Sequence, residues 1–376
     1  MITQELTYWV TLSLIPKMWT KRKNEIFVNC YTHTPQISII ELFDNPSFWD
    51  ELGMTDEEKT LFAQAKNELS NNSFLVEDLI AQGYDIIPIV SKEYPKALKD
   101  NLKIGAPTLI YTKGNKSLLH EPSVAIVGSR NADATSITFT DNVAKKVVSN
   151  GNVVVSGFAK GVDKQALDSA LEINGKSIIV LPQGITTFGG GYKEYYKHIA
   201  QGRVLVMSVF APKAPWTVEF AMARNPIIYG MASEIYVAQS DSKGGTWAGA
   251  IDGIRKKRNI YVRYPEKGEN NANMQLIQKG GCPVDSKGNV LALDPEELKT
   301  PEEKEIDRLN ACIITILNNA EMVSPADMLA KLNVEWGREK LNKHLSSLPG
   351  VEKIKEKNKI YFRLAGKGAS NLFSTV

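Results

Sequence analysis

The sequence predicts an α/β protein in which a doubly wound parallel sheet lies between an N-terminal helical domain and a C-terminal winged-helix domain. Helical periodicity with almost no glycine fills residues 1–82, and strand-like runs alternate with helix-compatible stretches within 83–290. Within 301–366, three helical stretches precede an alternating segment. Alternating strands and helices are typical of α/β sheets, and three helices followed by a hairpin is the order of a winged helix. We therefore expect three domains with these boundaries.

The N-terminal region has apolar residues at the spacing of an amphipathic helix. Leu6, Trp9, Val10 and Leu14 fall on one helical face, and similar spacing recurs between 52 and 80. Such a pattern predicts several packed helices.

Eight strand-like runs follow this region. Most are rich in β-branched residues without polar alternation, which predicts strands covered on both faces, as in a parallel sheet. The runs are DIIPIV (85–90), PTLIYT (107–112), VAIVG (124–128), NVVVSG (152–157), SIIVLP (177–182), RVLVMSVF (203–210), EIYVAQ (234–239) and NIYVRY (259–264).

The C-terminal region begins after a charged stretch. It contains a predicted helix near 305–319, a second that starts at Ser324 and Pro325, and a third around 336–348. The segment VEKIKEKNKIYFRL (351–364) then alternates as a hairpin does. We expect the tail, 366–376, to be frayed.

Composition excludes several classes of protein. The chain has 376 residues, of which 43% are hydrophobic and 23% charged, so it is not a disordered protein. A net charge of +3 is too small to indicate nucleic-acid binding without local clustering. The three cysteines form no C-x-x-C pair, and we see no signal peptide or membrane span. We therefore expect a cytoplasmic protein with reduced thiols that does not associate with membranes.

Glycines follow four of the predicted strands. Gly128 ends the run VAIVG, and Gly157 and Gly161 lie at and after the end of NVVVSG. Gly184 and 189–191 follow SIIVLP, and Gly244 and Gly245 follow EIYVAQ. The carboxyl ends of parallel strands share one edge of a sheet, where ligands of open α/β sheets bind. Glycine allows close backbone approach, and free N–H groups at a helix start favour an anion. The sequence predicts a composite phosphate-binding groove; the alternative is that the glycines only form tight turns.

Common nucleotide and catalytic motifs are absent. GSRNAD has one glycine where a dinucleotide fingerprint has three, and no G-x-x-x-x-G-K-[ST] loop occurs. The four histidines stand in unrelated contexts without H-E-x-x-H, G-x-S-x-G or zinc spacing. These absences disfavour a nicotinamide enzyme, an ordinary NTPase and a hydrolase.

Two segments resemble the DNA-processing protein A (DprA/Smf) family. They are the stretch from GYDIIPIVSK (83–92) to VAIVGSR (124–130) and VVVSGFAKGVDKQALDSAL (153–171), with GSR and SGFAKGVD as the most specific motifs. The resemblance implies an extended Rossmann domain. It also implies a protein without enzymatic activity or cofactor that binds and protects single-stranded DNA and loads a RecA-type recombinase in natural transformation or recombination. Dimerisation through the Rossmann domain is implied as well.

Residue by residue, the resemblance and the glycine pattern give one candidate set for binding DNA phosphates. ARNPIIYG resembles the family's R-N-R-I-I-A-G motif, but Pro226 stands at the second arginine. The segment FGGGYKEYY (188–196) departs most from the family, and Trp247 is unexpected in its loop. The candidates are Gly128, Ser129, Arg130, Ser156, Gly157, Lys160, Gly161, Lys193, Arg224, Asn225, Lys243, Gly244, Gly245 and Thr246.

Three aromatic residues in or beside these loops, Phe158, Tyr192 and Trp247, would either stack on DNA bases or fold onto the core. Two other functions stay open. The same groove could hold a small nucleotide signal, as in antiphage sensors. KGGTWAGA also resembles the loop of LOG-type phosphoribohydrolases, although no glutamate follows Thr246 closely.

Overall fold

The computed structural model describes residues 3–366, so the tail expected to fray lies outside the described part after 366. The chain divides into two compact units, one ending at Ala292 and the other beginning at Leu293. Among residues 3–366, no helix is long and apolar enough to cross a membrane.

The first unit begins with helices that pack on the sheet. Two of them start with capping boxes, at Ser38 and Thr55, where side chain and backbone satisfy each other's hydrogen bonds. Trp9 and Phe43 belong to the same buried apolar cluster as Leu109 of the sheet. The helices are α1 (Thr3–Leu14), α2 (Thr20–Thr32), α3 (Ile39–Asp44), α4 (Phe48–Glu51), α5 (Asp56–Asn67) and α6 (Leu69–Ala81).

Nine strands form one sheet within the described part of this unit. All eight predicted runs form strands, and the run around Val124 is buried along its whole length, as its composition predicts. The strands are β1 (Asp85–Pro88), β2 (Leu109–Gly114), β3 (Ser123–Val127), β4 (Val153–Ser156), β5 (Ser177–Val180), β6 (Val204–Ser208), β7 (Glu234–Val237), β8 (Asn259–Arg263) and β9 (Cys282–Val284).

The strand order is β1-β2-β6-β5-β4-β3-β7-β8-β9. From β6 to β9 neighbouring strands are parallel, while β1 and β2 pair antiparallel at one edge. The chain winds outward from β3 to β6 and then returns to place β7 on the other side of β3. This is the arrangement of a doubly wound α/β fold, as predicted, and it creates a topological switch point between β3 and β7.

The sequence did not predict β9. This strand has three residues, includes Pro283 and lies at the sheet edge, where the missing proline N–H is tolerated. The helices between the strands are α7 (Lys96–Leu102), α8 (Ala134–Ser149), α9 (Val162–Glu172), α10 (Gly189–Ala200), α11 (Val218–Met231), α12 (Gly245–Arg255) and α13 (Asn273–Gln278).

The second unit has helices followed by a two-stranded antiparallel hairpin. Ser324 caps the helix that starts at Pro325, as the sequence suggests. Its core includes Ile313, Met328 and Phe362. The elements are α14 (Pro295–Leu298), α15 (Pro301–Asn318), α16 (Pro325–Leu332), α17 (Arg338–Ser347), β10 (Val351–Glu356) and β11 (Lys359–Leu364).

Candidate nucleic-acid interface

Two adjoining cavities open at the carboxyl ends of β3, β4 and β7, which is the switch point of the sheet. The larger has a volume of about 360 Å³ and the smaller about 260 Å³. Arg130, Ala159 and Arg224 border both. We call the two cavities together the groove.

The loops that surround the groove hold each other directly. The backbone N–H of Ser129 donates to the carbonyl of Gln239 at 2.9 Å, which joins the loop after β3 to the loop after β7. Gly161 has φ 84°, and a Cβ there would lie 2.5 Å from the carbonyl oxygen of Ser129. A Cβ at Gly128 would lie 2.6 Å from Cγ2 of Val162. Gly128 and Gly161 therefore bring the loops after β3 and β4 together, and their role includes packing.

The three helices that start at these loops differ in how their first N–H groups are satisfied. The carboxylate of Asp133 accepts from the N–H of Ser136 at 2.7 Å and so caps α8. No side chain caps α9, but the N–H groups of Val162 and Lys164 donate to the carbonyls of Ser129 at 3.4 Å and Ala159 at 3.0 Å. The start of α12, with Gly244 as N-cap, has neither a side-chain cap nor such a carbonyl among the described residues. Because free N–H groups at a helix start attract anions, α12 is the helix start best suited to a phosphate.

Arg224 and Asp163 form a buried ion pair between α11 and α9. Both Nη atoms of Arg224 lie 3.4 Å from Oδ2 of Asp163, and the residues are 4% and 6% exposed. Burial raises the pKa of Asp163 and lowers the pKa of Arg224, and each charge opposes the other's shift. A Cβ at Gly157 would lie 1.3 Å from Nη1 of Arg224, so only glycine leaves room for the guanidinium. Arg224 thus borders the groove with its charge already paired.

Three exposed cations give the groove its charge. Arg130 and Lys243 line the larger cavity, and Arg130 and Lys160 line the smaller. Within residues 3–366 none of the three makes a salt bridge, whereas Lys164 contacts the carboxylates of Asp168 and Glu194. Asp241 also lines the larger cavity and reduces its positive charge. The groove retains unpaired positive charge beside the uncapped start of α12.

The structure brings most of the candidate residues together. Three do not line the groove: Ser156 is buried and donates to the carbonyl of Ile126 at 2.9 Å, Gly161 forms the loop contact, and Lys193 is exposed on α10. Those that line the groove are Gly128, Ser129, Arg130, Gly157, Lys160, Arg224, Asn225, Lys243, Gly244, Gly245 and Thr246.

The aromatic candidates are largely occupied by packing. Phe158 lines the smaller cavity, but its ring packs edge-on against Phe188 and Tyr195. Tyr192 donates to the carbonyl of Ile185, and Trp247 is half-buried outside the residues that line the groove.

Sequence reasoning missed Trp216. This residue is 47% exposed, lines the smaller cavity, and has its ring centroid 5.7 Å from Cζ of Arg130. It precedes Thr217, the N-cap of α11, and stands in no motif, so no local signal placed it at the groove.

A sequence model of the family described as DNA recombination-mediator protein A matches residues 85–293, which is more than half of the chain. The chain belongs to this family. Two relatives called DNA processing protein DprA match about half of the chain. The one from Streptococcus pneumoniae is 32% identical over 191 residues, covering 50% of this chain and 67% of that protein. The one from Bacillus subtilis is 27% identical over 226 residues, covering 57% of this chain and 73% of that protein.

The fold is shared with a solved member of the DprA family. The X-ray structure of DNA processing protein A from Streptococcus pneumoniae superposes with a TM-score of 0.62 at 24% identity. The match covers 76% of this chain and 96% of that one. In this DprA-family chain, the matched region contains every element that forms the groove.

Proposed function

We propose that this protein binds single-stranded DNA in the groove, without catalysis, as a recombination mediator of the DprA/Smf type. The observation that carries the proposal is the convergence of Arg130, Lys160 and Lys243, all without salt bridges in residues 3–366, at the switch point of the sheet. Membership of the recombination-mediator family supports a nucleic-acid ligand over other anions.

The DNA backbone would lie across the loops after β3, β4 and β7. Arg130, Lys160 and Lys243 would contact phosphates, and the first N–H groups of α12 would donate to one of them. Such contacts give affinity without reading sequence and make binding weaken steeply as salt rises. The Asp163–Arg224 pair would fix the loops rather than bind phosphate itself.

The finer parts of the proposal concern partners and domains. We propose that the protein protects single-stranded DNA, loads a RecA-type recombinase and forms a dimer through the Rossmann domain. We also propose a domain division into 1–82, 83–290 and 301–366, with the last a winged helix. Its hairpin carries Lys353, Lys355, Lys357, Lys359 and Arg363, and Glu352 and Glu356 reduce its net charge to +3. Arg363 already forms a salt bridge with Glu352. We propose that this unit docks a protein partner rather than forming a second DNA site.

The test is the affinity of Arg130→Ala for a fluorescently labelled single-stranded oligonucleotide, measured by anisotropy at several salt concentrations. Loss of one charged contact should weaken binding by roughly 1 kcal/mol, about fivefold. It should also reduce the slope of log K against log salt by about 0.7 per phosphate contact. Unchanged affinity and slope would remove the groove as the DNA site.

Arg255→Ala is a matched control, because Arg255 lies in the last turn of α12 with its side chain 76% exposed and does not line the groove. Its affinity should equal that of the unmodified protein.

Titration with AMP tests the alternative that the groove senses a small nucleotide. AMP should not displace the oligonucleotide at equal phosphate concentration, and efficient displacement would favour a small nucleotide ligand.

A further inference from the structure

An exposed apolar strip borders the groove at the start of α11. Trp216, Val218 and Met222 are 47%, 61% and 43% exposed. Val218 and Met222 lie four residues apart on α11 and therefore on one helix face. Both line the larger cavity, and Trp216 lines the smaller. Three large apolar side chains within seven residues of sequence are thus left in water beside unpaired cations.

Packing does not account for this strip. The interior face of α11 is buried through Ala221, Ile228 and Tyr229, so the helix already has a covered apolar side. An exposed apolar surface rimmed by polar residues commonly marks a binding site. The polar residue at the edge of this strip is Arg130, whose guanidinium lies over the ring of Trp216.

A single strand of DNA offers two chemical surfaces that match the two kinds of group in the groove. Its phosphates match the cations and the N–H groups of α12, and its unpaired bases have flat faces that stack on aromatic side chains. Among the described residues that line the groove, Trp216 is the aromatic residue with an exposed ring. The ring of Phe158 is held edge-on between Phe188 and Tyr195.

We propose that Trp216, Val218 and Met222 form a base shelf, on which bases of the bound strand stack and pack while Arg130 and Lys160 hold the phosphates. This inference rests on the proposed function and adds the orientation of the strand. Its bases face the start of α11, and its backbone faces the loops after β3 and β4.

The experiment compares two labelled strands of equal length, one with a mixed base sequence and one built of abasic residues. Trp216→Ala should bind the base-containing strand about fivefold more weakly than the unmodified protein, at the lower end of the stacking range, and the abasic strand equally well. The salt dependence should not change, because no charge is removed. Arg130→Ala should weaken binding to both strands.

Three further variants complete the test. Trp216→Phe should retain most of the preference for bases. Trp19→Ala removes another exposed indole, 84% exposed on the N-terminal helices, and should behave as the unmodified protein. Met222→Gln keeps the length of the side chain and its helix propensity, and it replaces Trp216→Ala if circular dichroism shows that Trp216→Ala does not fold. It should lose less affinity, and only for the base-containing strand.

The shelf is overturned if neither Trp216→Ala nor Met222→Gln lowers affinity for bases selectively, or if Trp216→Ala weakens binding to both strands equally. Failure of the proposed function looks different. In that outcome the unmodified protein binds neither strand, or Arg130→Ala binds both as tightly as the unmodified protein.

Discussion

Gly157 and Arg224 show how the absence of a side chain at one residue determines the geometry of the groove. The guanidinium of Arg224 lies against the backbone of Gly157 in the loop after β4, and its pair with Asp163 joins α11 to α9. Nε of Arg224 is buried without a hydrogen-bond partner in residues 3–366, so the pair with Asp163 is the main compensation for burying this charge. Any displacement of the guanidinium should therefore be costly.

Gly157→Ala is expected to lower the free energy of unfolding by about 3 kcal/mol, because the new Cβ would overlap Nη1 of Arg224 and break a buried ion pair. Urea denaturation measures the loss. Gly190→Ala is the control, since a Cβ at this position in α10 would meet no atom within 4 Å and alanine favours helix. Equal stability of Gly157→Ala and the unmodified protein would contradict the close contact.

Lys23 gives a prediction about pH. It is 6% exposed, and burial lowers its pKa to about 8. Its ammonium donates to the carbonyl of Ser13 at 2.6 Å, next to the C-terminal end of α1, where the helix dipole favours a cation. No carboxylate in the described ranges forms a salt bridge with it. Below about pH 8 both folded and unfolded states are protonated, and the folded state carries the full cost of burying the charge.

Between about pH 8 and 10.5 the unfolded chain binds more protons at Lys23 than the folded protein, so this residue makes stability rise with pH. Lys23→Met removes that effect. The free energy of unfolding of the unmodified protein, relative to Lys23→Met, should increase on the order of 3 kcal/mol across this range. Paired urea titrations at both ends of the range measure it, and a difference that does not vary with pH would show that the ammonium is solvated.

The packing of α11 against α12 controls where the uncapped helix start lies. Gly245, Gly249 and Gly253 recur every four residues on one face of α12. A Cβ at Gly249 would lie 2.7 Å from Cζ of Tyr229, and one at Gly245 would lie 2.5 Å from Nδ2 of Asn225. The glycines therefore let the two helices approach closely enough for the start of α12 to join the groove.

Gly249→Ala should push α12 away from Tyr229, with a cost of about 1–3 kcal/mol in stability. It should also weaken binding of single-stranded DNA, since the N–H groups at Gly245 and Thr246 would move. A double-mutant cycle with Tyr229→Leu is the check: the smaller side chain makes room, so the combined loss should be less than the sum of the two single losses. Strict additivity would indicate that the helices do not meet at this point.

The strands of the sheet were predictable from sequence because local composition determines them. Eight apolar, β-branched runs all form strands, whereas β9 was missed because a three-residue edge strand with Pro283 carries almost no periodic signal. Helix starts were also hard to interpret from sequence. The sequence suggested a bound anion at the start of α8, but the carboxylate of Asp133 caps this helix instead.

The groove could be predicted only in part. The topology of a parallel sheet places the loops after its strands at one edge, but the side chains around the groove are positioned by contacts between residues far apart in sequence. Arg130, Lys160 and Lys243 follow strands and were found by that rule. The pairing of Arg224 with Asp163 links residues 61 positions apart, and Trp216 reaches the groove from a segment without a motif. Neither leaves a local pattern to read.

The two compact units have separate cores, so DNA binding can be tested in the first unit alone. The core of the second unit, around Ile313, Met328 and Phe362, includes no residue before 293, and the groove lies wholly in the first unit. A chain ending at Ala292 should therefore fold. Its melting temperature should lie within about 3 °C of that of the corresponding transition in the full chain, a shift equivalent to roughly 1 kcal/mol.

The same truncated chain distinguishes the two roles of the hairpin unit. If that unit docks a protein partner, the truncated chain should bind single-stranded DNA within about threefold of the full chain and with the same salt slope, because no phosphate contact is lost. A shallower slope with an affinity more than tenfold lower would instead place Lys353 and Lys355 of β10 among the phosphate contacts. Charge reversal of both lysines in the full chain would then reproduce the loss, whereas in the docking role it would leave DNA affinity unchanged.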